Sequence, residues 1–221
     1  MVEDGLWDAE REEMVETLRD YGIRDKKILS VMGRIPRHLF IPSDYRTHET
    51  AYADHPCPIG RNQTISQPYI VAYMTEKLAI KPGQKILEIG TGSGYQAAVL
   101  AGLGARVFTI EVVPALALHA RTMLSSPDYA GLVQCREGDG HEGWPTEAPF
   151  DAVIVTCGPE SVPESLANQL REGGVMIVPA GPASRQHLIM VRKKNGAIEQ
   201  TRDLAVTFVP MVHQISPQNC S

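Results

Sequence analysis

Apolar positions along residues 8–21 recur at helical spacing, with Met14, Val15, Leu18 and Tyr21 on one face and Gly22 following as a stop. A second, shorter helix is expected to start at Asp25 and to bury Ile28, Leu29 and Met32. From 34 to 62 the periodicity lapses. Proline and glycine accumulate in IPRHLFIPSDY and again in HPCPIG, so this segment is expected to wrap irregularly on a scaffold. Helical spacing returns with Ile70, Val71, Met74 and Leu78, with Ser66 near the N-cap and Pro68 in the first turn.

After Lys81-Pro82-Gly83 the pattern changes to short apolar runs alternating with amphipathic stretches. Strands are expected at 85–89, 105–110, 133–137, 150–156 and 174–178, and helices at 95–103, 114–124 and 163–170. Strands that alternate with helices need crossover connections, which predicts an α/β fold built on a doubly wound, mostly parallel, Rossmann-like sheet. The end of the chain differs. Runs at 187–193 and 204–209 flank Lys194-Asn195-Gly196-Ala197, and Asn-Gly favours a tight reversal, so an antiparallel hairpin is expected at the sheet edge. The division that follows is an N-terminal helical and loop extension, 1–80, on a core, 81–221, together one compact unit.

Composition narrows the functional classes. At 221 residues, with 43% apolar and 21% charged residues, the chain can bury a substantial core. Its 21 basic and 26 acidic residues give a net charge of -5, which argues against general nucleic-acid or anionic-membrane binding. Cys57, Cys135, Cys157 and Cys220 are scattered without a CxxC pair, so neither a zinc ribbon nor a dithiol motif is supported and reduced thiols are expected. The start MVEDGLWDAEREEM lacks the form of a signal peptide, and no apolar run has membrane-spanning length. A cytoplasmic monomer is the expectation.

The strongest chemical signal is ILEIGTGSGYQAAVLA, residues 86–101. Gly90, Gly92 and Gly94 follow an apolar strand and precede a helix, an arrangement that brings free backbone amides close to a ligand. The spacing is not the dinucleotide GxGxxG, because the third glycine comes one residue early, and no lysine follows as a P-loop requires. Nor is it a nucleophile elbow, since Thr91 stands two residues before Ser93, so Ser93 is read as loop scaffold or ligand contact. Glu111 ends the second strand, where a carboxylate can accept both hydroxyls of a ribose. Asp139-Gly140 follows the third strand at the same sheet edge, where a side-chain acceptor can read an adenine amino group. Each acid alone is also compatible with a solvated strand end. Glu88, beside the loop, suits an ammonium group better than a pyrophosphate. A nucleoside that ends in a zwitterionic amino acid fits this set, and that ligand is S-adenosylmethionine. A nicotinamide oxidoreductase and a noncatalytic nucleoside-binding module are the readings set against it, and another carboxyl or small-molecule methyltransferase on the same scaffold is the nearest enzyme alternative to the family that the next motifs point to.

At this point the chain resembles the protein-L-isoaspartate O-methyltransferases. The resemblance is carried by Gln63-Thr64-Ile65-Ser66, by LEIGTGSGYQ, and by the stretch from Gly138-Asp139-Gly140 through Gly143-Trp144-Pro145 to Ala148-Pro149-Phe150-Asp151. Further support comes from Gln169-Leu170 with Gly173-Gly174, from Val178-Pro179-Ala180-Gly181, and from Phe208-Val209-Pro210, so the likeness runs from Met14 to Pro210. The glycine loop marks a methyltransferase superfamily, and QTIS makes the match specific. The resemblance implies S-adenosylmethionine-dependent esterification of the alpha-carboxylate of L-isoaspartyl residues in damaged proteins and peptides, which starts their repair through a succinimide. It implies Ser66 as the active-site residue and as a substrate contact, together with the backbone at Val209. Cofactor contacts are implied at Gln63, Thr64, Ser93, Glu111, Asp139 and Gly140, joined by Ile65, Glu88, Gly90, Gly92 and Gly94 from the lid and the loop. Residues 1–80 then carry a substrate lid and 81–221 the cofactor core. Two departures stand out: the tail MVHQISPQNCS after Pro210, and Cys57 where a larger aliphatic residue is usual, read here as packing.

Carboxylate methylation requires no general base, because a carboxyl group of reference pKa about 4 is already ionised. None of the seven histidines is therefore needed for catalysis. His55 and Cys57 around Pro56 are read as loop residues and no metal site is expected. Cys157 is read as a buried structural thiol, Trp144 as either a binding wall or core, and Arg192-Lys193-Lys194 as a solvated hairpin end.

Overall fold

The computed structural model describes residues 7–213. Cys220, and with it the tail from residue 214, lies outside the described residues. α1 (Asp8–Asp20) buries Met14, Val15 and Leu18 and stops before Gly22, whose φ of +101° a side chain would disfavour. α2 (Lys26–Met32) is capped by Asp25, whose carboxylate accepts from the amides of Lys27 at 2.7 Å and Ile28 at 3.4 Å. The segment expected to be irregular contains a small hairpin. β1 (Cys57–Gly60) pairs antiparallel with β2 (Gln63–Ile65) across Arg61 and Asn62, both at positive φ. α3 (Pro68–Leu78) follows with Pro68 in its first turn, and its N-cap is Gln67 rather than Ser66.

The apolar runs of the central region build one sheet. β3 (Lys85–Ile89), β4 (Arg106–Glu111), β5 (Val133–Glu137), β6 (Phe150–Val155) and β7 (Leu170–Ala180) are parallel, with β8 (Gln186–Lys194) and β9 (Ala197–Val206) added antiparallel. Between them run α4 (Tyr95–Gly102), α5 (Pro114–Leu124) and α6 (Glu164–Asn168). The expected helix over 163–170 is shorter than its pattern suggested, because Leu170 pairs with Phe150 and begins β7. The β8–β9 turn is Asn195-Gly196, at φ of +54° and +75°, the geometry a two-residue reversal needs.

Alternation along the strands sends side chains to two packed layers, as a parallel sheet requires. Ile86, Val107, Ile154 and Ile177 join α4 and the N-terminal helices in one cluster. Leu87, Phe108, Ile110 and Val153 pack with Leu166 and Ala167 of α6 in the other. The sheet order β5-β4-β3-β6-β7-β8-β9 reverses its winding between β3 and β6. In such sheets a crevice opens at the carboxyl ends of those two strands, and ligands bind there. No helix among the described residues is long and apolar enough to cross a membrane.

Candidate functional site

The loop after β3 is shaped by its glycines. Gly90 and Gly92 stand at φ of +92° and +53°, and a Cβ on Gly90 would lie 2.7 Å from Thr156 Oγ1. Glu111, at the end of β4, fastens this loop. Its Oε2 accepts from the Gly92 amide at 2.7 Å, and its Oε1 accepts from the Val113 amide at 2.9 Å. A carboxylate offers about four lone-pair directions, so two remain for a ligand. Ser93 is held at the start of α4, where its Oγ accepts from the Tyr95 amide at 3.3 Å. Gly90, Gly92, Ser93 and Glu111 line one cavity at the β3–β6 crevice, and Gln63, Thr64, Ile65 and Ser66 line its other wall. Among the described residues Glu111 is the only charged side chain on that lining. A cavity without Lys, Arg or His suits a cationic nucleoside and offers a pyrophosphate no countercharge.

A second cleft, of about 960 Å³, adjoins the first. Thr64, Ser66, Thr156 and Val209 line both, and so mark where contents of the two would meet. The Ser66 hydroxyl is not spent on capping α3. That task falls to Asp54, which the sequence reading passed over: its Oδ1 accepts from the Tyr69 amide at 2.8 Å and its Oδ2 from Gln67 Nε2 at 2.7 Å. Asp54 thus satisfies an orphan amide at the N-terminus of α3 and braces residues 67–69 from the loop before β1. Thr156 was also missed. Its hydroxyl donates to the Gly90 carbonyl at 2.6 Å, which locks the ends of β3 and β6 together, and its place after a strand at the ligand edge was the available signal.

Val209 is positioned by its neighbours. The Gly158 amide donates to its carbonyl at 2.8 Å, while the buried Gln186 side chain accepts from the Phe208 amide at 2.6 Å and donates to the Phe208 carbonyl at 3.3 Å. Gln186 therefore acts as a surrogate strand partner. A Cβ on Gly158 would lie 2.2 Å from Gln186 Nε2, so a larger residue there would displace this side chain.

Four expected contacts are not on the cavity lining. Glu88 is fully buried in β3, off the cavity lining, and neither carboxylate oxygen has a hydrogen-bond partner of normal geometry among the described residues, so the side chain is not presented to the cavity. Burial pushes its carboxyl up to about 8. Gly94 is the N-cap of α4 and packs on α5, where a Cβ would lie 3.1 Å from Leu124. Gly140 sits against β3, with 2.4 Å between its imagined Cβ and Ile89. Asp139 caps the turn after β5. Its Oδ1 accepts from the His141 amide at 2.8 Å and meets His141 Nδ1 at 2.9 Å, and its Oδ2 meets His213 Nδ1 at 2.9 Å. Burial alone would raise its carboxyl, but these hydrogen bonds prevail and bring it to about 2.

Trp144, left between two roles by its sequence, packs edge-on to Phe108 under Arg136, in the core layer and not on the cavity. Cys57 is buried and donates to the Thr50 carbonyl at 3.2 Å. Cys157 lines the cavity with its thiol pushed up by burial, which disfavours the thiolate.

Comparison with known proteins gives a consistent result. The family model described as protein-L-isoaspartate(D-aspartate) O-methyltransferase matches residues 9–216. A protein-L-isoaspartate O-methyltransferase of Gloeobacter violaceus is 48% identical over 200 residues, covering 90% of this chain and 96% of that one. Its counterpart in Methylorubrum populi is 48% identical over 212 residues, covering 95% and 98%. A solved protein-L-isoaspartate O-methyltransferase superposes with a TM-score of 0.83 at 30% identity, covering 92% of this chain and 66% of that longer chain. A Plasmodium falciparum structure titled as a protein of this kind, in complex with S-adenosyl-L-homocysteine, gives a TM-score of 0.80 at 26% identity, covering 91% and 98%.

Proposed function

The chain belongs to the protein-L-isoaspartate(D-aspartate) O-methyltransferase family, and we infer that its adjoining cavities bring S-adenosylmethionine and an isoaspartyl carboxylate together for methyl esterification. The observation that carries this reading is the junction: Thr64, Ser66, Thr156 and Val209 line both cavities, so donor and acceptor groups can meet there. The donor set fits the cofactor. Glu111 offers acceptors for ribose hydroxyls, the Gly90–Gly92 turn admits a close backbone approach, and the absence of basic side chains from the lining suits a sulfonium. Asp139 and Gly140, at the same sheet edge, are assigned to the adenine end. When bound, S-adenosylmethionine supplies an electrophilic methyl group on a sulfonium.

The chain's own residues then position the acceptor. An isoaspartyl carboxylate is ionised at neutral pH, so no side chain has to take a proton. The Ser66 hydroxyl donates one hydrogen bond to it and the Val209 amide a second; that amide has no other acceptor among the described residues. Both donors are neutral. An arginine in their place would bind the carboxylate more strongly but lower its nucleophilicity, which accounts for an uncharged QTIS lid. Holding the reacting atoms in line supplies up to roughly 7–11 kcal/mol of barrier lowering. The adjoining backbone nitrogen attacks the resulting ester and expels its methoxy group as methanol, and water opens the succinimide partly to normal aspartate without further help from the protein.

Labelled methyl transfer to paired peptides tests the reading. Base-labile label is expected on the L-isoaspartyl peptide alone, and equal labelling of its L-aspartyl twin, or none on either, would refute it.

A further inference from the structure

Asp139, His141 and His213 form a cluster whose two imidazoles have no part in methyl transfer. Both imidazoles turn Nδ1 toward one carboxylate, at 2.9 Å each, and their rings stack at 3.8 Å and 16°. The three donor atoms lie within 4.8 Å of one another. His213 is carried there by a strap fixed at the backbone: Gly158 donates to the Val209 carbonyl at 2.8 Å and accepts from the Met211 amide at 3.0 Å, and Met211 packs beside Gly140. The convergence therefore follows from how the strap is anchored, although 74 positions separate His213 from Asp139.

We propose that Asp139, His141 and His213 bind a divalent transition-metal ion at the rim of the cofactor cavity. Two imidazoles and a carboxylate select zinc, nickel or copper over magnesium and calcium, which prefer oxygen ligands alone. A tetrahedral ion with bonds of roughly 2.0–2.1 Å holds its donors roughly 3.3 Å apart, so to admit one the 2.9 Å contacts lengthen, the wider donor separations, all within 4.8 Å, close, and the stacked rings fan apart to aim both Nδ1 lone pairs at it. Binding replaces both Asp139–imidazole hydrogen bonds with metal bonds from neutral Nδ1 atoms. The remaining coordination positions face solvent, because the His213 side chain is 75% exposed. The site stands independently of the cofactor assignment. Only one consequence rests on that assignment: an ion on Asp139 withdraws an acceptor from adenine and weakens cofactor binding.

Titration of Zn²⁺ into the untagged full-length chain, followed by calorimetry, is expected to show one saturable site. His213→Ala and His141→Ala should each weaken it by at least the roughly tenfold that loss of even an outer-shell partner produces. His48→Ala should leave it unchanged. Co²⁺ is expected to give visible ligand-field bands that His213→Ala abolishes, and circular dichroism of each variant checks that the fold persists. Absence of saturable binding, or binding that survives both substitutions at the cluster, overturns the proposal. Zn²⁺ binding that is lost in both variants but leaves S-adenosylmethionine affinity untouched supports the metal site and removes Asp139 from the cofactor's contacts.

Discussion

Glu88 and Glu111 carry the same side chain into neighbouring strands, and their surroundings decide what each can do. Glu111 is met by two backbone amides and keeps lone pairs for a ligand, whereas Glu88 is met by none. Folded Glu88 holds its proton up to about pH 8, against 4.5 for an ordinary glutamate. Between those values the folded chain binds one proton more than the unfolded chain, so stability falls as pH rises, by at most about 1.4 kcal/mol per unit. The contribution is complete below 4.5 and gone above about 8. Glu88→Gln removes the ionisation, so its stability relative to the native chain should climb across that window in urea unfolding; a constant difference would mean that Glu88 is not buried as a neutral acid. Ser66 makes the other residue-scale prediction. A hydrogen bond to a charged group contributes roughly 1.5–3 kcal/mol, so Ser66→Ala should lower kcat by roughly ten- to a hundredfold. Cofactor affinity, read by calorimetry, should change little, and the reverse pattern would assign Ser66 to the cofactor instead.

At the scale of elements, the segment that leads from β2 into α3, proposed above as a lid, depends on a residue outside it. Asp54 holds both the Tyr69 amide and the Gln67 side chain, so Asp54→Ala should destabilise the chain by about 1 kcal/mol through the lost cap and loosen the QTIS strand. Urea unfolding reads the first effect. The second should appear as a raised KM for peptide, with the KM for S-adenosylmethionine less affected, and an unchanged peptide KM would disconnect Asp54 from the lid. Asp54 was illegible because its partners lie 13 and 15 residues away, across a segment without periodicity. The same holds for Gln186 with Phe208 and for Asp139 with His213: a polar pair brought together by tertiary folding leaves no mark in local spacing. What was legible had a local cause. The strands announced themselves as apolar runs and the hairpin by Asn195-Gly196, while Glu111 followed from its place at a strand end. Leu170 deceived because its apolar spacing continued α6, yet pairing with Phe150 places it in β7. Ser66 looked like a cap because Ser-x-Pro suits one, but Gln67 took the position.

For the whole molecule, the decisive feature is that the helices before the sheet do not have a core of their own. Met14, Leu18, Ile28 and Met32 belong to the same buried cluster as Ile86, Ile154 and Ile177, so the extension 1–80 and the sheet 81–221 bury one continuous apolar volume. Removing either would expose the apolar face of the other, at roughly 25 cal/mol for each Å² returned to water. We therefore expect the two regions to unfold together. The chain carries the means to check this, since its two tryptophans fall one in each region. Trp7 stacks on His38 and His48 beside α1, and Trp144 packs on Phe108 under the opposite face of the sheet. Trp144→Phe leaves fluorescence that reports on the extension, and Trp7→Phe leaves fluorescence that reports on the sheet. In urea, each single-tryptophan variant should give a fluorescence midpoint that coincides with its own circular-dichroism midpoint, as an all-or-none transition requires. Trp7 fluorescence that changes before the helical signal would instead show that the N-terminal extension opens on its own, and the cleft that Ser66 and Val209 line would then have to be assembled on the sheet from a separately unfolding part.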